Sequence, residues 1–137
     1  MAYWLLKSEP EAYSFADLTR DGLTAWTGVR NALARIHLAQ MQAGDEVLIY
    51  HSVTQKAVVG HALIVAPATP DPTAPAGTAW LSVDVAAGPP LPQPVPLAVI
   101  KADARLAGIG LVRQSRLSVV PLTPAEYRVL LALGAAA

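Results

Sequence analysis

The sequence predicts an α+β domain: a curved or closed β-sheet of about five or six short strands with short helices at its rim. Apolar runs of strand length recur along the chain, at Tyr3–Lys7, Val47–His51, Ala57–Ala66, Trp80–Val85 and Leu117–Val120. Helix-start signals stand between and after them, at Ser14, Asn31 and Thr123. The 137 residues show no internal repeat, so a single domain spanning 1–137 is expected. A chain of this length buries about two-thirds of its unfolded surface and needs no staples.

Each element has its own local warrant. Tyr3–Lys7 reads as a short buried strand. Ser14-Phe15-Ala16-Asp17 has the capping-box form that opens a helix, with Ser14 as N-cap. A second helix is expected from Asn31 to Gln40, with Leu33, Ile36, His37 and Met41 at helical spacing and Gly44-Asp45 closing it. Val47–His51 is rich in β-formers, and the short Val53–Lys56 connection makes Ala57–Ala66 its antiparallel partner. Trp80–Val85 alternates, with Leu81, Val83 and Val85 on one face and Trp80, Ser82 and Asp84 on the other. Nine of the 12 prolines fall between Pro67 and Pro96, which rules out long helices and predicts two irregular excursions around that strand. Leu117–Val120 is the last strand expected. Thr123-Pro124-Ala125-Glu126 starts the final helix and Gly134 stops it, ahead of an alanine-rich tail.

Composition narrows the function classes. Hydrophobic residues make up 53% and charged residues 15%, and the formal net charge is zero, which argues against a generic, salt-driven nucleic-acid binder. The charge is unevenly spread, however. Lys101, Arg105, Arg113, Arg116 and Arg128 face only Asp103 and Glu126 across residues 100–128, and Arg30 and Arg35 stand near Trp26. There is no cysteine, so no disulfide framework and no thiolate metal site. His37, His51 and His61 have no metal-ligand spacing, so neither metal nor cofactor is expected. No basic, apolar leader opens the chain, and no uncharged apolar run reaches the about 18 residues of a membrane span. A cytoplasmic protein is expected, nuclear if the source is eukaryotic, without a membrane partner and with a monomer favoured.

Trp26-Thr27-Gly28-Val29-Arg30-Asn31 is where chemistry concentrates. An aromatic face, a flexible glycine and two good hydrogen-bonding side chains suit a site that stacks on a flat ligand and reads its edge. Trp26 could equally fill core, and Asn31 could equally cap the helix that follows. Lys7-Ser8-Glu9-Pro10 ends a buried strand, where polar groups are well placed to line a pocket. Arg113-Gln114-Ser115-Arg116 could clamp a phosphate and donate to a base edge, or form a solvated turn. In Tyr50-His51-Ser52 the histidine and serine point to opposite faces of a strand and lack a nucleophile elbow, so they make a poor catalytic pair.

Taken in order, these stretches resemble the EVE domain family. The matching segments are Tyr3-Trp4-Leu5-Leu6-Lys7-Ser8-Glu9-Pro10, Trp26-Thr27-Gly28-Val29-Arg30-Asn31 with Ala34-Arg35, Gly44-Asp45 and Tyr50-His51-Ser52. Val59-Gly60, Pro70-Asp71-Pro72-Thr73, Val83-Asp84-Val85, Ile100-Lys101 and Leu111–Val119 follow, so the resemblance runs along essentially the whole chain. It implies a PUA-like fold, a curved, nearly closed barrel of the kind that mostly binds RNA or DNA, and a role in recognising modified cytosines, with DNA favoured over RNA. By the more distant likeness to YTH domains, Trp26 lines up with a cage tryptophan, and Lys7-Ser8 and Arg113–Arg116 fall on the polar wall. The expected base pocket comprises Trp26, Lys7, Ser8, Glu9, Val29, Asn31, Tyr50, His51 and Ser52. Arg30, Arg35, Arg113, Gln114, Ser115 and Arg116 are the expected phosphate and edge contacts. The family often has an aromatic at Ala32 and an asparagine at Ile36; Ile36 is expected to alter helix packing or the pocket floor. A small enzyme, or a protein-interaction module on the same fold, are the alternatives.

Overall fold

The computed structural model describes residues 2–135; Ala136 and Ala137 of the alanine-rich tail lie outside them. The first half runs β1 (Tyr3–Ser8), α1 (Phe15–Asp21), β2 (Leu23–Trp26), α2 (Ala32–Gln40), β3 (Glu46–His51) and β4 (Ala57–Ile64). The second half runs β5 (Thr69–Pro70), β6 (Leu81–Pro96), α3 (Leu97–Ala102), a 3-10 turn, α4 (Gly110–Arg113), β7 (Val119–Leu122) and α5 (Pro124–Leu133). The sheet has the order β2-β6-β4-β3-β1-β7, with β5 paired to β6.

Trp4, Leu5 and Leu6 are all buried, an unbroken apolar run, because β1 lies inside the sheet. It pairs in parallel with β3 and antiparallel with β7, so Leu6 faces Ile49 on one side and Val119 on the other. Buried Asp45 fastens this centre. Its carboxylate accepts from the Trp4 indole N–H at 3.0 Å and from the Ala2 and Gln42 backbone N–H groups at 3.1 and 3.0 Å. Burial alone would raise the Asp45 pKa, yet these bonds outweigh it and leave the carboxyl below its ordinary value.

The helix starts follow the sequence closely. Ser14 and Thr123 each complete a capping box, Pro124 opens α5, and Gly134 caps its end. α1 lies close on the sheet because Gly60 leaves room for the Phe15 ring. A Cβ at Gly60 would stand 2.3 Å from two Phe15 ring carbons. Gly60→Ala should therefore destabilise the fold by about 2 kcal/mol, as overpacked core sites do. An unchanged midpoint in urea denaturation would contradict that.

The structure corrects several expectations. The main path of the sheet has six strands, within the expected number, and the two-residue β5 adds a seventh on β6. Neither the four-residue edge strand β2 nor the two-residue β5 carries enough pattern to be read. The second proline-rich excursion is no excursion, since β6 runs on through Pro89, Pro90, Pro92, Pro94 and Pro96. Beyond Ala86, where β2 ends, that half of β6 has a strand only on its β4 side. Between Pro90 and Val95 the pairing with β4 shifts register, so Pro92 and Pro94 fall in a bulge where they interrupt no ladder bond. Trp80 precedes β6, and Ser82 is buried because β5 pairs across it at Thr69. The last strand starts at Val119, because Leu117 N–H closes a turn onto Gln114 O at 2.9 Å.

Candidate functional site

The ends of β1 and β2 open onto one cavity of about 430 Å³. From β1 and its exit come Lys7, Ser8 and Glu9; from β2 and the following loop come Trp26, Gly28, Val29 and Arg30. Trp26 is half-buried and is held in register against Val83 of β6. The Tyr13 ring meets it edge-on, with centroids 6.2 Å apart and planes at 88°. Tyr13 hydroxyl donates to Asp21 at 2.8 Å, which fixes the ring's far end. Aromatic rings so arranged give the cavity a rigid apolar wall.

The facing wall is polar. Ser8 hydroxyl donates to Tyr13 carbonyl, tying the β1 exit to the approach of α1 and leaving the serine oxygen able to accept. Lys7 is half-buried, and its Nζ donates to Ser115 carbonyl at 3.0 Å. Burial lowers the Lys7 pKa from its ordinary value. Glu9 is exposed at the rim.

Asp71 clamps the loop after Trp26. Its side chain is fully buried and accepts from Gly28 N–H and the Arg30 guanidinium, both at 2.9 Å. Thr73 donates to the same carboxylate through its N–H and its hydroxyl, each at 2.7 Å. Burial would raise the Asp71 pKa, but the bonds from Arg30, Thr73 and Gly28 overcome it and hold the carboxyl well below the usual carboxylate range. Gly28 has φ +84°, a conformation that glycine adopts without steric penalty. Arg30 and Arg35 both lie over the Trp80 ring, at 5.9 and 5.4 Å from its centroid.

Other expected site residues stand elsewhere. Tyr50 and His51, at the end of β3, and Ser52, in the turn that follows, are not among the residues lining the cavity. Tyr50 is buried in the core, with its ring 6.0 Å from Lys7 Nζ. His51 Nε2 accepts from Phe15 N–H at 2.9 Å, which puts the ring proton on Nδ1, 2.6 Å from Gln55 Oε1. With both nitrogens engaged, His51 has none free to act as a base. Ser52 N–H donates to Ser8 carbonyl at 2.9 Å. Asn31 caps α2 through Ala34 N–H at 2.9 Å and lines an adjoining cavity of about 330 Å³ with Gln114, Ser115 and Arg116. Arg113 is turned away, its Nε donating to Ala107 carbonyl at 2.7 Å. Ile36 is 50% exposed and lines neither cavity.

Tyr13, Thr24 and Ser118 line the cavity and were not foreseen. Tyr13 had a legible signal: an aromatic directly before an N-cap sits at the staple position, poised to pack on whatever the helix covers.

The EVE domain family pattern matches residues 2–133. The chain belongs to the EVE domain family. This EVE domain is 33% identical to thymocyte nuclear protein 1 of Mus musculus over 164 aligned positions, covering 96% of this chain and 73% of the mouse protein. Among solved structures, a protein from Agrobacterium tumefaciens superposes with a TM-score of 0.95 at 40% identity, over 98% of this chain and 93% of that one. Human THYN1 protein, crystallised in complex with 5-methylcytosine-containing DNA, superposes with a TM-score of 0.92 at 30% identity, over 100% of this chain and 99% of the human one. The EVE domain described here thus has the PUA-like α+β architecture of these relatives.

Proposed function

We propose that this EVE domain captures a single nucleobase, a modified cytosine in DNA, in the cavity between β1 and β2. The observation that carries the reading is the pairing of an aromatic wall, Trp26 with Tyr13, against the hydrogen-bonding groups of Lys7, Ser8 and Glu9. The volume falls within the range of about 300–1,000 Å³ usual for small-ligand sites. The human relative's complex with 5-methylcytosine-containing DNA supports the choice of ligand.

A base inside a duplex must be extruded to reach such a cavity, at a cost of a few kcal/mol. Stacking on Trp26, worth about 1–3 kcal/mol, and two or three edge hydrogen bonds offset that. Cytosine presents its exocyclic amine as donor and its ring nitrogen and carbonyl as acceptors. Glu9 and the Ser8 oxygen match the donor, and the Lys7 ammonium matches the acceptors. Burying one extra methyl adds about 0.8 kcal/mol, roughly a fourfold preference. Discrimination beyond that requires the cavity to disfavour the unmodified base.

Competition binding at one fixed salt concentration tests this. The panel pairs cytosine with 5-methylcytosine and 5-hydroxymethylcytosine in single- and double-stranded DNA, with matching RNA. The expected result is a several-fold preference for a modified cytosine in DNA. Equal affinity across the panel would overturn the modified-base reading, and stronger RNA binding the choice of DNA.

A further inference from the structure

The adjoining cavity shares a wall with the first. Arg30 lines one and Asn31 the other; Ser118 lines one and Leu117 the other. The Lys7–Ser115 hydrogen bond, at 3.0 Å, spans the partition from Nζ on the first side to the turn on the second. A ligand chain leaving the first cavity therefore reaches the second within one residue of protein on either rim.

We infer that the second cavity holds the nucleotide next to the captured base, with its phosphate on Arg116 and its sugar and base against Leu33. The inference rests on the base-capture reading. The arginines around the site differ in how far they are committed. Arg30 is bound to Asp71, Arg35 lies over Trp80, and Arg113 donates to Ala107 carbonyl. Arg116 is exposed and takes part in none of the ion pairs among the described residues, so it is the cation left for a phosphate. Leu33 is 37% exposed on the lip of this cavity, an apolar contact for a sugar or a base face. Asn31 uses its side-chain oxygen to cap α2, which leaves its amide N–H groups for the ligand. Cation, apolar contact and amide donors together fit a nucleotide and suit neither a lone anion nor an apolar peptide.

The test compares a nucleoside with a short strand. 5-Methyl-2′-deoxycytidine fills the first cavity only; a single-stranded trinucleotide with that base in the middle adds its neighbours and their phosphates. Affinities are read by NMR titration of the Trp26 indole signal, for the full chain and for Arg116→Ala and Leu33→Ala. Both variants should leave nucleoside affinity unchanged. Arg116→Ala should weaken the trinucleotide about tenfold, as loss of a charged hydrogen bond does. The slope of log affinity against log salt should fall by about 1. Leu33→Ala should weaken the trinucleotide with no change in that slope. Trinucleotide affinity unmoved by both substitutions would overturn the inference. If the nucleoside fails to bind while the trinucleotide binds through Arg116, the base-capture reading falls and the phosphate site stands.

Discussion

Asp71→Ala is expected to destabilise the protein by about 3 kcal/mol, the lower part of the range for breaking a buried ion pair. The reason is asymmetry. Asp71 has a fully buried side chain, whereas the Arg30 side chain is 35% exposed and can turn part of its guanidinium to water. Removing the carboxylate also leaves Gly28 N–H and both Thr73 donors without their acceptor. Two controls separate these losses. Asp71→Asn keeps an acceptor oxygen and should lose less than Asp71→Ala. Arg30→Ala in the Asp71→Ala background should recover part of the loss, since no stranded cation remains. If the double variant is as unstable as the sum of the singles, the ion pair contributes nothing beyond its parts.

The same carboxylate gives an acid signature. Its pKa is depressed in the folded protein, so the stability it contributes is full above the ordinary aspartate value of about 3.9. That contribution is lost as pH falls below it toward the folded value. Acid titration of wild type and Asp71→Asn, followed by circular dichroism, should show stability curves that converge only below about pH 4. Curves running parallel through that window would mean that Asp71 is not the group titrating.

Trp26→Ala should weaken binding of a modified-cytosine oligonucleotide by about fivefold to 150-fold, the equivalent of about 1–3 kcal/mol of lost stacking. Because Trp26 also packs on the core, truncation alone is ambiguous. Trp26→Phe keeps an aromatic face and should retain most of the affinity; Trp26→Leu keeps apolar bulk and should lose most of it. Thermal unfolding of each variant checks that the fold survives. Equal affinity in the leucine and phenylalanine variants would reduce Trp26 to a filler of space.

What could be read from the residues alone was mostly local. The boxes at Ser14 and Thr123 and the cap at Asn31 each close within three residues, so their chemistry is visible in a short window. The Trp26 loop and the Lys7–Glu9 exit were legible as site candidates for the same reason. That they meet across a cavity was not, because strand pairing decides it. Asp71 reaches Gly28 and Arg30 across 43 and 41 residues of chain, so nothing in Pro70-Asp71-Pro72-Thr73 announces its partners. In the sequence Arg30 reads as a free phosphate ligand; only the fold brings Asp71 beside it. Tyr50 and His51 looked like strand-end residues at a rim; lying on an interior strand, they are buried instead. Prolines misled most, since their usual meaning fails where a strand has a neighbour on one side only.

The position of β1 has a bearing on how the protein is made. Of the strands described, β1 is made first and its antiparallel partner β7 last. Lys7 and Ser115, which join the two cavities, are 108 residues apart in the chain. A nascent chain therefore carries an apolar strand with an unpaired edge until β7 has been made, a slow, non-local closure exposed to aggregation. The Lys7–Ser115 contact on the cavity's polar wall forms only once that closure is made, so it reports that β1 and the segment leading into β7 have come together.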